Sequence, residues 1–201
     1  MIRYFFILIL LASCASEPEF VPKQFKTVGV ETLLADSVSI RAITLMGNNL
    51  AFSGSDNTYG IYNAGDTRAR SSRLRIDSVN TEFRAVAATT TDFFMLGVGD
   101  PALLFKTGDN GKMELVYMEE HEKVFYDAMA FWNDKEGIAM GDPTDSCISV
   151  IVTRDGGQTW QKLPCSMLPE AAEGEAAFAA SNTNIAIVGD HTWIATGGVR
   201  S

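Results

Sequence analysis

Residues 153–160 read TRDGGQTW. Gly156 and Gly157 follow Asp155 directly, so the backbone there can take positive φ without steric cost. CISVIV before this stretch and TWQKL within and after it are rich in β-branched and aromatic residues, as strands are. The local expectation is a β-hairpin with a glycine turn. Its meaning depends on whether it recurs.

It recurs. KTGDNGKMEL (residues 106–115) places Thr107, Asp109 and Gly111 where the first stretch has Thr153, Asp155 and Gly157, in a longer pattern that repeats along the chain. Small and apolar residues lead into a Gly-Asp turn, a second apolar run and a second turn. One copy starts at Phe83 (FRAVAATTTDFFMLGVGD), another at Tyr126 (YDAMAFWNDKEGIAMGD) and a third at Ala176 (AAFAASNTNIAIVGD). A weaker one starts at Ile40. Arg41, Arg84 and Asp127 hold one repeat position at intervals of 43 and 43, and Asp100, Asp142 and Asp190 another at 42 and 48. A period near 43 built of short β-rich runs is the length of a four-stranded propeller blade. The expected fold is all-β: a β-propeller of four-stranded antiparallel blades at about 37–80, 81–122, 123–168 and 174–201, the last incomplete. Inner strands are expected at Ser39–Thr44, Phe83–Ala88, Phe125–Ala130 and Ala176–Ala180, and second strands at Leu50–Ser53, Phe93–Val98, Gly137–Met140 and Ile185–Val188.

The stretch at 153–160 resembles the Asp-box, roughly Ser/Thr-x-Asp-x-Gly-x-Thr-Trp, through Thr153, Asp155, Gly157, Thr159 and Trp160; the copy with Thr107, Asp109 and Gly111 lacks the Trp. The resemblance implies a structural role, with the carboxylate accepting backbone N–H bonds in the turn and the Trp packing between strands. With FRA (83–85), GDP (99–101 and 141–143), FAAS and ATGG, residues 27–201 resemble the photosystem II stability and assembly factor family and its bacterial BNR or Asp-box relatives. That family implies a seven-bladed, non-enzymatic propeller that binds protein. Removing 26 residues leaves 175, about four blades of 43, and the chain stops where a third strand should start; a truncated sequence forming an open arc is expected.

The chain has 201 residues, 46% of them hydrophobic and 20% charged, ordinary for one globular domain. A formal charge of −9 argues against nucleic acid, which requires a concentrated basic face. Arg3 and the apolar run YFFILILLA (4–12) have the make-up of an export signal too short to span a bilayer. Leu11-Ala12-Ser13-Cys14 looks like a bacterial lipobox, which implies a signal peptide at 1–13 and a lipid on Cys14; an ordinary secretory signal is the alternative. Residues 14–26, polar and with two prolines, form a tether. The expected location is the periplasmic face, outer membrane or cell surface, with the membrane met through the lipid anchor alone.

Export bears on Cys147 and Cys165, each 9 residues from Gly156. A hairpin centred on Gly156 pairs residues whose numbers sum to 312, which sets the two cysteines face to face. A disulfide is the expectation and two buried thiols the alternative. Arg41, Arg84, Asp127 and Glu175 are expected around one mouth of the propeller channel. There they form either a site for an anionic or carbohydrate ligand or a partner's acidic tail, or a structural ring of ion pairs between blades.

Other chemistry is poorly supported. Asp100, Asp142, Asp145 and Asp190 could suggest calcium, but they belong to separate turns, whereas calcium requires six to eight converging oxygens. His121 and His191 are the only histidines, too few for a zinc site or a catalytic triad. No cofactor, metal or catalytic residue is assigned. A sialidase-like glycoside hydrolase is the competing class, with Arg41, Arg84 and Arg200 on the substrate carboxylate, but it needs paired carboxylates that the sequence does not supply.

Overall fold

The computed structural model describes residues 21–35, 37–76, 79–108, 111–178 and 182–198. The expected signal peptide with Cys14, Asp109 of the second box, and Arg200 lie outside these residues. The chain divides into two units, 1–31 and 32–201. Described residues of the first form no regular element.

The second unit is all-β among its described residues, apart from 3-10 geometry at Gly111 and in the short turn Cys165–Met167. It contains a sheet of β1 (Ile40–Met46), β2 (Asn49–Gly54), β3 (Thr58–Tyr62) and β4 (Arg70–Arg73). A second comprises β5 (Phe83–Ala88), β6 (Phe93–Gly97), β7 (Ala102–Thr107) and β8 (Met113–Glu119). A third comprises β9 (Tyr126–Phe131), β10 (Gly137–Gly141), β11 (Ser149–Thr153) and β12 (Gln161–Lys162). Each is an antiparallel meander in sequence order, and β13 (Ile185–Val188) pairs with β14 (His191–Ile194) in a fourth, two-stranded sheet. These are propeller blades.

The blades stack through alternating faces, as the two-residue period of a strand requires. On β6, Phe93 and Met95 join Ala42 and Ala51 of the first blade, while Phe94 and Leu96 join Tyr126, Met129 and Ala139 of the third. On the third blade, Ala128, Ile138, Met140 and Val150 turn the other way and meet Ile185 and Ile194. Fully burying a side chain such as Phe94 or Leu96 contributes about 2–3 kcal/mol, so the stacking faces carry most of the stability.

The fourth repeat departs from expectation. The stretch expected as its inner strand gives one isolated bridge, Ala176 to Gly197, closed by reciprocal N–H···O bonds of 3.0 and 2.7 Å. Ala179 and Ala180 lie outside the described residues. The expected match of Asp100 with Asp142 also fails. The inner strands pair Phe83 with Gly97 and Tyr126 with Gly141, so Gly97 is the counterpart of Gly141. Asp100 therefore lies three residues past that point and Asp142 only one.

Candidate functional site

Each inner strand carries a β-bulge near its start. Ladder pairing skips one residue between Ile40 and Ala42, between Phe83 and Ala85, and between Tyr126 and Ala128. The skipped residues are Arg41, Arg84 and Asp127, the position that recurs every 43 residues. A bulge leaves its extra residue unpaired and re-aims the side chain. Opposite stand Gly54, Gly97 and Gly141, where a Cβ would lie 2.3 Å from the Ser39 carbonyl oxygen, 2.7 Å from Thr81 Oγ1 and 2.1 Å from the Phe125 carbonyl oxygen. At Gly54 and Gly141 the backbone approaches too closely for any side chain, and at Gly97 the Thr81 side chain fills the space.

The bulges bring Arg41 and Arg84 to one carboxylate, Glu82. Arg84 donates to Glu82 Oε2 from Nε (3.0 Å) and from an Nη (2.8 Å). Arg41 Nε stands 3.6 Å from the same oxygen, within ion-pair range but too far for a hydrogen bond. The Arg84 guanidinium also lies over the Phe125 ring, 5.3 Å from its centroid. Side-chain exposures of 26%, 38% and 19% for Arg41, Glu82 and Arg84 leave the group reachable from solvent. Glu82, one residue before its strand, is a member that the 43-residue period could not reveal, because its own repeat mates are Ser39 and Phe125.

Asp127 differs. It is wholly buried and neither carboxylate oxygen has a hydrogen-bond donor. Burial, together with the like charge of Asp142, pushes its carboxyl up to about 7 against the opposing pull of Arg84. Asp142 is raised too, by burial, although it accepts the Ala177 N–H at 2.7 Å. Glu175 is engaged elsewhere, accepting from Thr196 Oγ1 (2.6 Å) and the Ala172 N–H (2.8 Å), which hold its carboxyl below the usual range.

In the box at 153–160, Asp155 accepts from Thr153 Oγ1 (2.9 Å), the Thr159 N–H (3.0 Å) and Thr159 Oγ1 (2.6 Å), while Thr153 Oγ1 accepts the Gly157 N–H (2.9 Å). Partial burial would raise the Asp155 carboxyl, but the bonds from Thr159, Thr153 and the Gln158 backbone outweigh it and hold it low. Every oxygen contact serves the turn. Gly157 has φ +76°, and a Cβ there would come within 2.2 Å of the Phe94 ring on the neighbouring blade. Trp160, 8% exposed, meets Phe94 and Phe131 edge to face at 6.4 and 5.8 Å. The box thus clamps the third blade onto the second. In the other copy Thr107 faces Asp92 (3.1 Å) and the Phe93 N–H (2.9 Å), and Gly111 takes φ +71°.

Cys147 and Cys165 are joined in a disulfide with Cα atoms 5.4 Å apart. The expected register is off by one: Ile151 pairs with Lys162 and Val152 with Gln161, numbers that sum to 313. Both cysteines lie beyond the ends of this short ladder, Cys165 in the 3-10 turn, so ladder register does not set their facing. Beside them Glu119 accepts from Tyr117 (2.7 Å), Tyr126 (2.6 Å) and Lys162, a polar tie between the second and third blades that the sequence did not advertise. Burial alone would raise Glu119; those three partners hold it low.

The His121 backbone N–H donates to Asp100 at 3.1 Å, Asp145 lines the cleft beside the disulfide, Asp190 lies in the β13–β14 turn, and His191 begins β14. Among the described residues no three His, Cys, Asp or Glu side chains are gathered as metal ligands.

Stacked four-stranded meanders with their first strands innermost define a β-propeller. The sequence matches no known protein family and no curated protein. Among solved structures it is similar to one described as YCF48 bound to D1 peptide, with a TM-score of 0.52 and 14% identity, covering 66% of this chain and 41% of that one. The RRP9 WD40 repeats follow, with a TM-score of 0.49, 11% identity, and coverage of 65% and 40%. YCF48 from Cyanidioschyzon merolae gives 0.45, 18%, and coverage of 71% and 46%. At such identities the likeness shows the fold alone. The chain spans about two fifths of the length of the first of these propellers.

Proposed function

We propose that the protein is a non-enzymatic scaffold of the cell envelope that holds an acidic segment of a protein partner at the rim formed by Arg41, Glu82 and Arg84. The observation that carries this is the sharing of one carboxylate by two guanidiniums that remain partly open to solvent. The rim keeps a surplus positive charge in a chain whose formal charge is −9. Guanidinium forks are suited to carboxylates. A YCF48 structure of the same fold holds a D1 peptide, which supports a peptide ligand here.

An anchor through Cys14 would keep the scaffold at the membrane, consistent with the apolar run before it. The rim reading is tested with a fluorescein-labelled hexa-aspartate peptide and the full chain at low salt. Arg41→Ala and Arg84→Ala should each weaken binding about three- to tenfold, the range of partly exposed charge pairs. Unchanged affinity in both variants would overturn it.

A further inference from the structure

Asp127 occupies the third bulge, yet it takes no part in the rim's ion pairs. Two charged groups face it: Arg84 from β5 and Asp142 from the end of β10. Asp142 is itself engaged by the Ala177 N–H, on the segment leading to the fourth sheet. Glu175 on that segment is turned to Thr196 and Ala172. No donor among the described residues reaches either Asp127 oxygen.

Arg84 therefore acts on two carboxyls of different kind. Glu82 is open, charged and hydrogen-bonded to it. Asp127 is buried and its oxygens accept no hydrogen bond, and the burial that raises its carboxyl to about 7 makes its charge change near neutrality.

We infer that Asp127 gates the rim: with its carboxyl neutral, two guanidiniums share one carboxylate and the surplus charge holds an acidic segment, and when its proton leaves to solvent the new carboxylate neutralises Arg84 and the segment is released. This rests on the acidic-segment reading and adds its regulation. The bulge frees Asp127 from the ladder at the start of the third inner strand, two residues after Phe125, whose ring the Arg84 guanidinium covers at 5.3 Å from the centroid.

The test uses the full chain and labelled hexa-aspartate at about pH 5.5 and about pH 8.5, a range over which the probe's own carboxylates stay ionised. His121 and His191 also change charge there, so Asp127→Asn, which cannot ionise, isolates the gate. Wild type should bind about fivefold more tightly at the lower pH, the effect of one partly screened charge. Asp127→Asn should bind nearly equally at both. A variant that keeps the wild-type pH dependence overturns the gate, as does wild-type binding that is indifferent to pH; the acidic-segment reading survives both results. No binding at either pH overturns that reading and the gate with it. Carbon-13 NMR of the aspartate carboxyls supplies an independent check. The resonance missing from Asp127→Asn should titrate near neutrality, and a midpoint near 4 would overturn the gate whatever the peptide does.

Discussion

Burying a carboxylate without a donor leaves it the choice of staying neutral or destabilising its surroundings. Asp127 stays neutral over most of the acidic range, and this has a consequence for folding. In the unfolded chain its carboxyl ionises near 3.9, while in the fold it holds its proton up to about 7. Between those values folding takes up a proton, so the contribution to stability is fully present below about pH 4, falls as pH rises, and levels off above neutrality. Its slope is about 1.4 kcal/mol per pH unit at most. Asp127→Asn should remove this slope and be the more stable protein at alkaline pH. Urea denaturation of both proteins at several pH values checks it; parallel curves would show that Asp127 ionises in the fold as it does in water. Asp155 is the contrasting case. Its carboxylate is exposed at the turn rather than buried, yet every oxygen contact is a hydrogen bond within the box, so its work is local and structural.

At the scale of elements, the third blade shows how a weak strand is held. β12 has two residues and two ladder pairs, too little to stay in place alone. The box turn, Trp160 and the Lys162–Glu119 bond secure its start, and the disulfide secures the chain beyond it. Closing a loop across a sequence separation of 18 should contribute about 3 kcal/mol in the chain-entropy model. The paired substitution Cys147→Ser with Cys165→Ser should lower the urea midpoint accordingly, and a midpoint unchanged by it would assign the third blade's stability to the aromatic clamp alone. A symmetric spacing about Gly156 pointed to this pair, although the ladder is one residue out of that symmetry. Eight residues of the box stand between Val152 and Gln161, so the connection is a folded loop rather than a tight turn, and a centre of symmetry read from glycines does not locate the pairing.

For the molecule as a whole, what was legible in the sequence was what repeats. The 43-residue interval marked Arg41, Arg84 and Asp127 because each blade needs a bulge at the same place. Second strands were legible as apolar runs ending in glycine. Partners that occur once were not legible: Glu82 has no acidic counterpart in neighbouring blades, and the Glu119 cluster joins residues 43 positions apart through side chains alone. In the fourth repeat the second strand was legible, as β13, while over the described residues 176–178 Ala-rich sequence that fits an inner strand forms only the bridge at Ala176. At this scale also belongs the anchor. Metabolic labelling with a palmitate analogue should tag the wild type and spare Cys14→Ala, and equal labelling of both would overturn the proposed lipid on Cys14.

The three bulges separate what is constant from what varies. Gly54, Gly97 and Gly141 recur in the three four-stranded blades because a Cβ would meet a backbone carbonyl at the first and third and the Thr81 side chain at the second. The residue opposite is excused from pairing, and it reads Arg, Arg, Asp. Such a framework works like a printer's forme, a fixed bed with interchangeable type. Each added blade offers one more letter, so the charge of the rim can be reset a letter at a time while the bed that holds it is left alone.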